Sequence, residues 1–518
     1  MSDGARGDGP GAPQAREDDV RHAARSGGVQ VLTIVAQGIS PVAQVIFARL
    51  FGTAVFGAYQ VSVALLEVAT RGGTGGADKA MLRYIAGARA RGDQAASDGA
   101  LFSGLRQGLV LGMALVAGLV LFAPAIGRLF HQPDLARALP LMAPAVVFTG
   151  AMYILIQASL GARRTRPNLI VRGLCEPGFL LLAGVGAAAA GPSLRNLAMA
   201  HMLASAATLG VALLLVGRVF GPGAAGPGAA GRGAAGRIFR ARPVRGFARF
   251  SVPIGASELL NAVLQRADIV MLTAYCGARA AGIYAAAEFL GRMVANVRYA
   301  FDSIAASVFS EAIHLSDHDR LQYNLTLMTR WVISVSAPLG ALAIALRGVL
   351  LGLYGPEFVA GSTAMVILVV GHLVNASCLS PWVLVVSGRS GRMFAANLFS
   401  AMLNIGLGVV LIPRFGLVGT AVAVGCSIGV LQLVLGAWVW RLQGVHPFDR
   451  RVAKPLFSAA VMLVAVLLAP VRHLPAWLAA TVVLAVGLAV YAGTMLALGL
   501  PAEERALLAK LRPLPRRP

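Results

Sequence analysis

Charge is scarce in this chain, and lysine is scarcer still. Asp, Glu, Lys and Arg make up only 13% of the 518 residues, about half the share of an ordinary soluble domain. Lysine occurs only at Lys79, Lys454 and Lys510. Cysteine is nearly absent as well. Cys175, Cys276, Cys378 and Cys426 are far apart and show no CxxC or Cys/His spacing, so neither a disulfide framework nor a zinc site is indicated. Long polar stretches are missing too: few loops between apolar runs exceed about twenty residues. Residues 1–27 mix acidic and basic groups around no apolar core, which reads as a disordered cytosolic tail and not a signal peptide.

What fills the chain instead is hydrocarbon. Hydrophobic residues make up 57%, with a mean hydropathy of +0.73. About fourteen apolar stretches are long enough to cross a bilayer. They are read at 28–50, 54–72, 101–125, 138–160, 168–190, 196–219, 247–274, 282–310, 329–353, 362–386, 393–413, 417–440, 453–471 and 475–499. The expected fold is an all-α polytopic membrane protein, with two six-helix lobes around a central cavity and two extra C-terminal helices.

The net charge of +23 would suggest nucleic acid in a soluble protein, but here the charge alternates between loops. With the N-terminus inside, about 34 basic residues fall in cytosolic segments, about 8 outside and about 3 deep in spans. This places both termini in the cytosol, predicts a cell inner (plasma) membrane location, and argues against a nucleic-acid partner.

A break lies between the sixth and seventh spans. Gly221–Arg237 repeats Gly and Ala with nothing to pack, so 220–246 reads as a flexible cytosolic linker. The expected organisation is a tail at 1–27, an N-terminal lobe at 28–219, a C-terminal lobe at 247–441, an extra helix pair at 452–500 and a basic cytosolic tail at 501–518. The halves look related. FGTAVFGAY carries Gly52, Gly57 and Tyr59, while CGARAAGIY carries Gly277, Gly282 and Tyr284. Both show G-x4-G-x-Y between the first and second span of their half. Parallel repeats of this kind commonly enclose a transport cavity and rock to expose it to either side.

Polar residues recur on single helix faces inside these spans. The first span has Gln30, Thr33, Gln37, Ser40 and Gln44 on one stripe, with Pro41 bending it. The seventh has Glu258, Asn261, Gln265 and Asp268, with Arg266 beside them. The eighth has Glu288, Arg292, Tyr299 and Asp302, flanked by Arg298, and the second has Glu67 and Arg71. A charge facing lipid costs about 2.5–3.5 kcal/mol on insertion scales, so these faces must meet protein or water.

Two readings stand. Glu288 with Arg292, and Arg298 with Asp302, can be i,i+4 pairs that neutralise each other. Alternatively Arg266, Arg292 and Arg298 offer forked, permanently charged donors to a phosphate, with Gln37, Gln44, Asn261 and Gln265 lining the same cavity. Glu67, Glu258, Asp268, Glu288 or Asp302 would then bind a coupling proton or sodium ion. No catalytic residue and no metal set is expected. His372 and Asn375 read as core residues before cavity residues, and Glu176 can pair with Arg172.

At these motifs the chain resembles a known group. GTAVFGAYQVSVALLEVATRGGTGGADKAMLRYIA and RADIVMLTAYCGARAAGIYAAAEFL are similar to the span one–two and seven–eight regions of the polysaccharide biosynthesis flippases. LYGPEFVAGSTAMVILVVGH and SGRSGRMFAANLFSAMLNIGLGVVLIPRFGLVGTAVAVGCS resemble spans ten to twelve. That superfamily also holds multidrug extruders and peptidoglycan-lipid flippases. The resemblance implies export of an oligosaccharide on a polyprenyl diphosphate, with the bilayer and a polysaccharide polymerase or glycosyltransferases as partners, and no cofactor beyond a coupling cation. It is weaker for peptidoglycan lipid, because Gln37 and Gln44 stand where that group has charge. The competing readings are a cation-coupled multidrug exporter and a membrane glycosyltransferase or polymerase.

Overall fold

In a computed structural model the chain is described over residues 12–220, 236–238, 240–469 and 475–499. Side chains are described from residue 39 onward, apart from those at 300, 303, 390, 476 and 477. Every regular element among the described residues is helical. The helices are α1 (Ala12–Thr74), α2 (Ala77–Ala90), α3 (Gln94–Leu129), α4 (Pro133–Met142), α5 (Ala145–Gly161), α6 (Arg166–Ala189), α7 (Leu194–Phe220), α8 (Phe247–His314) and α9 (His318–Ala345). Then follow α10 (Arg347–Tyr354), α11 (Ser362–Ala376), α12 (Ser380–Val386), α13 (Ser390–Gln443), α14 (Ala453–Leu468) and α15 (Ala476–Ala497). The tail expected to be disordered through residue 27 is helical from Ala12, continuous with α1. Residues 1–11, most of the Gly/Ala linker (221–235) and residues 500–518 lie outside the described residues.

Among the described residues ten helices are long and apolar enough to cross a membrane, or eleven if the bent pair α4–α5 makes one span. The fourteen crossings expected from the sequence would need three of these runs to cross twice. Each of the three does break at a glycine: α1 at Gly52, α8 at Gly277 and α13 at Gly416. Unbroken, the 68 residues of α8 would reach about 100 Å, more than three times a hydrocarbon core. Gly52 sits at φ 73°, ψ 171° and Gly277 at φ 79°, ψ 173°, a region open to glycine and strained for any other residue. The two glycines of the repeat thus have the same backbone geometry. Large apolar side chains such as Leu121, Phe122, Leu433 and Leu468 stand on the outside, as a lipid-facing surface requires.

The chain forms two compact units. The first comprises Met1–Phe51, Leu65–Arg128 and Pro133–Ala262; the second comprises Gly52–Ala64, Leu129–Gln132 and Val263–Pro518. The first is built around Met81, Ile85, Leu101, Ile154, Val171, Val216 and Phe247, which join α2, α3, α5, α6, α7 and the start of α8. Where the linker rejoins this unit, Arg237 donates to Asp98 and to the Phe220 carbonyl, tying the two ends of the linker together.

The second unit has one core around Phe309, Leu325, Val383 and Val439. A further core sets α14 and α15 against α9 through Ile333, Met462, Val466 and Val483. Tyr491 in α15 donates to the Ser334 carbonyl at 2.8 Å. The expected extra helix pair is therefore packed on α9.

The second unit also contains both G-x4-G-x-Y motifs, and they meet. A methyl group on Gly57 would overlap the Ala278 carbonyl, and one on Gly282 would overlap that of Thr53. The contact is reciprocal, since both pairs keep the repeat offset. Tyr59 and Tyr284 are fully buried beside it. Thr53 Oγ1 donates to Glu357 Oε2 at 2.6 Å, and Arg279 Nη2 lies 3.4 Å from the same oxygen, so one carboxylate holds the tip of each motif. In lipid, where packing rather than water exclusion joins helices, such close approach is the main stabilising device. Gly57→Val is expected to destabilise the protein by about 1–3 kcal/mol through overpacking, seen as a lower melting temperature in detergent. Gly118→Val, at a position with nothing within 4 Å, should leave melting unchanged.

Candidate functional site

Two ion-pair nodes lie on the second arm of α8, within the second unit. In the first, Arg292 Nε and Nη2 both donate to Glu288 Oε1, at 3.2 and 2.6 Å. Glu288 Oε2 faces His372 Nε2 on α11 at 3.2 Å. One turn before Glu288, Tyr284 donates to Asp268 Oδ2 at 2.7 Å. Asp268, Glu288 and His372 are buried, while the Arg292 side chain keeps 45% of its surface open. His372 Nδ1 is buried with no hydrogen-bond partner among the described residues.

In the second node, Arg298 Nη1 donates to the Asn375 carbonyl at 3.1 Å and to Asn375 Oδ1 at 3.2 Å. Its Nε lies 3.7 Å from Asp302 Oδ1, which accepts from Trp382 Nε1 at 2.7 Å. Gln432 Nε2 also donates to Asn375 Oδ1, at 2.7 Å. Four helices, α8, α11, α12 and α13, are cross-linked by this node. Only 16% of the Arg298 side chain is open.

Both i,i+4 pairs anticipated from spacing are therefore formed. Arg298 is fixed in a mostly buried network through Nη1, with its Nε making no hydrogen bond among the described residues. Arg292 is paired on one edge and open on the other. Arg266 is half-buried in the same unit, and Gln265 beside it is exposed. The rest of the anticipated set belongs to the first unit. There Gln44, Glu67 and Glu258 are half-buried and Asn261 is exposed. The side chains of Gln30, Thr33 and Gln37 lie outside the described residues. No group of three or more His, Cys, Asp or Glu fit for a metal occurs among the described residues.

The structure adds partners that spacing did not assign. His372 and Asn375, read first as core residues, close the two nodes. Trp382 and Gln432 join them from elements far away in sequence. In the first unit, Tyr153 has two guanidinium groups over its ring: Arg71 at 5.3 Å and Arg172 at 5.0 Å from the centroid. Arg172 lies in a π-helical turn, Leu169–Cys175, inside α6. Such turns are frequent at functional sites. In the sequence, the Arg172–Glu176 spacing and the Glu67–Arg71 pair point here, while Tyr153 carries no such signal.

Long apolar helices with charged networks fixed between them define a multi-pass membrane protein of the transporter kind. A family model described as "Polysaccharide biosynthesis protein" matches residues 27–308. That is more than half of the chain, and the chain belongs to this family. No curated protein matched the sequence. Among solved structures, the chain is similar to a lipid II flippase MurJ in an inward closed conformation, with TM-score 0.69 and 14% identity over 90% of this chain and 97% of that one. It is also similar to an inward-facing multidrug resistance MATE family transporter of the MOP superfamily, with TM-score 0.64 and 12% identity over 80% and 98%. A MOP superfamily transporter from Pyrococcus furiosus gives TM-score 0.50 and 13% identity over 80% and 94%. At these identities the likeness is one of fold.

The second node should behave as a coupled unit. Removing Arg298 alone leaves the half-buried Asp302 with Trp382 as its partner among the described residues, a loss of about 1–3 kcal/mol for a desolvated group left short of a partner. Arg298→Ala with Asp302→Ala should cost clearly less than the sum of the two single changes, measured as a double-mutant cycle in melting temperature.

Proposed function

We propose that this protein is an inner-membrane flippase that moves an oligosaccharide, carried on a polyprenyl diphosphate, from the cytosolic to the outer leaflet by alternating access. Membership of the polysaccharide biosynthesis family, on a lipid-flippase-like fold, is the observation that carries the reading. The arginines fit it: guanidinium forks bind phosphate bidentately and stay charged in a poor dielectric. Arg292, open on one edge, and Arg266 are the groups assigned to the diphosphate. Arg298 is assigned a structural role. A drug-cation exporter of the same fold would place bare carboxylates toward its substrate, whereas Glu288 and Asp302 here are already answered by arginine or tryptophan. The chemistry is movement, not bond making, so no catalytic residue is assigned. Polysaccharide polymerases or glycosyltransferases would act before and after it.

Coupling to a proton is part of this reading. Asp268 and Glu288 are two buried carboxylates: Glu288 is paired with Arg292, and Asp268 accepts from the neutral Tyr284 hydroxyl. A buried carboxylate held by a neutral hydroxyl favours a proton or monovalent cation beside it in a poor dielectric. His372, with one ring nitrogen on Glu288 and the other without a hydrogen-bond partner among the described residues, is assigned to this coupling together with Asp268.

Reconstituted into vesicles, the full chain should speed leaflet exchange of a fluorescent polyprenyl-diphosphate oligosaccharide, and Arg292→Ala should abolish it while Arg292→Lys restores part. Absence of exchange alongside robust uptake of drug cations would overturn the reading in favour of the exporter. An imposed proton gradient should change the exchange rate, and His372→Gln or Asp268→Asn should remove that response while exchange without a gradient persists. An undiminished gradient response in both variants would remove these groups from coupling.

A further inference from the structure

The geometry points to a sugar-binding subsite in the first unit, built from Arg71, Tyr153, Arg172, Glu176 and Glu258. This inference rests on the flippase reading and says which part of the substrate these residues hold.

The distinguishing feature is unmet hydrogen-bonding capacity of both signs. Arg71 Nη1 lies 4.0 Å from Glu258 Oε2, and Arg172 Nε lies 4.0 Å from Glu176 Oε2. At that distance the charges balance but no direct hydrogen bond forms. Neither guanidinium makes a side-chain hydrogen bond among the described residues, and both are held over the Tyr153 ring. The contrast with Arg292 and Arg298, which donate at 2.6–3.2 Å, is direct. The side chains are partly open, at 27% for Arg71, 32% for Glu258, 46% for Arg172 and 37% for Glu176. They sit neither in a sealed core nor on a fully solvated face.

The charge balance decides which ligand fits. Two guanidinium groups stand against Glu176 and Glu258, and Glu67 lies within electrostatic reach of the same tyrosine. A diphosphate brought here would meet carboxylates as well as cations, with no surplus positive charge to hold it. Sugar hydroxyls suit the set better. Each donates and accepts, so one hydroxyl can accept from a guanidinium and donate to the carboxylate 4.0 Å away, and neighbouring hydroxyls match the planar fork. Tyr153 adds a flat apolar surface for the C–H face of a sugar ring, and a phenol at its end.

Position agrees with this role. Arg71 lies in the last turn of α1 before Thr74, and Arg172 lies one turn into α6. On the topology expected from the charge bias, both are at the cytosolic ends of their spans. That is the side from which a lipid-linked glycan would be loaded. The π-turn under Arg172 shifts this residue out of α-helical register and gives it a position that an undistorted helix would not.

The test compares two lipids on the purified full chain: bare polyprenyl diphosphate, and the same lipid carrying a single glucose, galactose or N-acetylglucosamine. For at least one sugar, the wild type should bind the glycosylated lipid roughly tenfold more tightly than the bare one, about what one or two hydrogen bonds to charged groups supply. Arg172→Gln, Glu176→Gln and Tyr153→Leu should each bring this ratio toward one, with affinity for the bare lipid unchanged. Arg172→Lys should keep an intermediate ratio, which separates loss of recognition from loss of folding. Unchanged ratios in all three variants would overturn the subsite. Equal losses for both lipids would also overturn it, marking a phosphate clamp instead. A wild type that binds bare and glycosylated lipid equally overturns the sugar subsite but leaves the flippase reading standing. A wild type that binds neither lipid overturns the flippase reading itself.

Discussion

A charge carried into a bilayer has to be answered by another group, and the interior of this protein is organised around that requirement. An unpaired charged side chain at membrane depth costs at least about 2.5–3.5 kcal/mol on insertion scales. Glu288 is held by Arg292 and His372, and Asp302 by Arg298 and Trp382. Asp268 takes the Tyr284 hydroxyl. Each answer comes from a different helix or a different turn, so satisfying the charge also fixes the packing of α8 against α11, α12 and α13.

The glycines meet the complementary requirement. Lipid tails are as apolar as leucine, so helices in a membrane gain little from burying leucine against leucine and associate through close contact. Gly57 and Gly282 bring two backbones together where no β-carbon would fit. Glu357, bonded to Thr53 and beside Arg279, ties down the tips of the same two motifs. Because of this contact, Gly52–Ala64 belongs to the second compact unit although it lies early in the chain.

Two kinds of arginine result. Arg298 is spent on architecture: its Nη1 is bonded to Asn375, its Nε pairs with Asp302 by charge alone, and its surface is nearly closed. Arg71 and Arg172 are placed over an aromatic ring with no side-chain hydrogen bond among the described residues, and Arg292 is paired on one edge and open on the other. Charge type alone does not separate these roles, since all four are arginines with an acid four residues away or on a neighbouring helix. The separation is made by direct hydrogen bonds, which the side chains of Arg292 and Arg298 make and those of Arg71 and Arg172 do not among the described residues.

The helical membrane fold was legible in the sequence because hydrophobic length is a local property, and the positive-inside bias and G-x4-G-x-Y repeat are readable along one strand of text. The i,i+4 pairs Glu288–Arg292 and Arg298–Asp302 were legible for the same reason: helix periodicity fixes which residues share a face. What the sequence left open was every partner from a distant element. His372 for Glu288, Trp382 for Asp302, Asn375 for Arg298 and Tyr153 between Arg71 and Arg172 are separated by tens of residues, and no spacing rule connects them. Whether an arginine holds the fold or waits for a ligand depends on those distant groups, so the chain alone determined that there would be buried charge, and only the tertiary structure decided which of it is already answered.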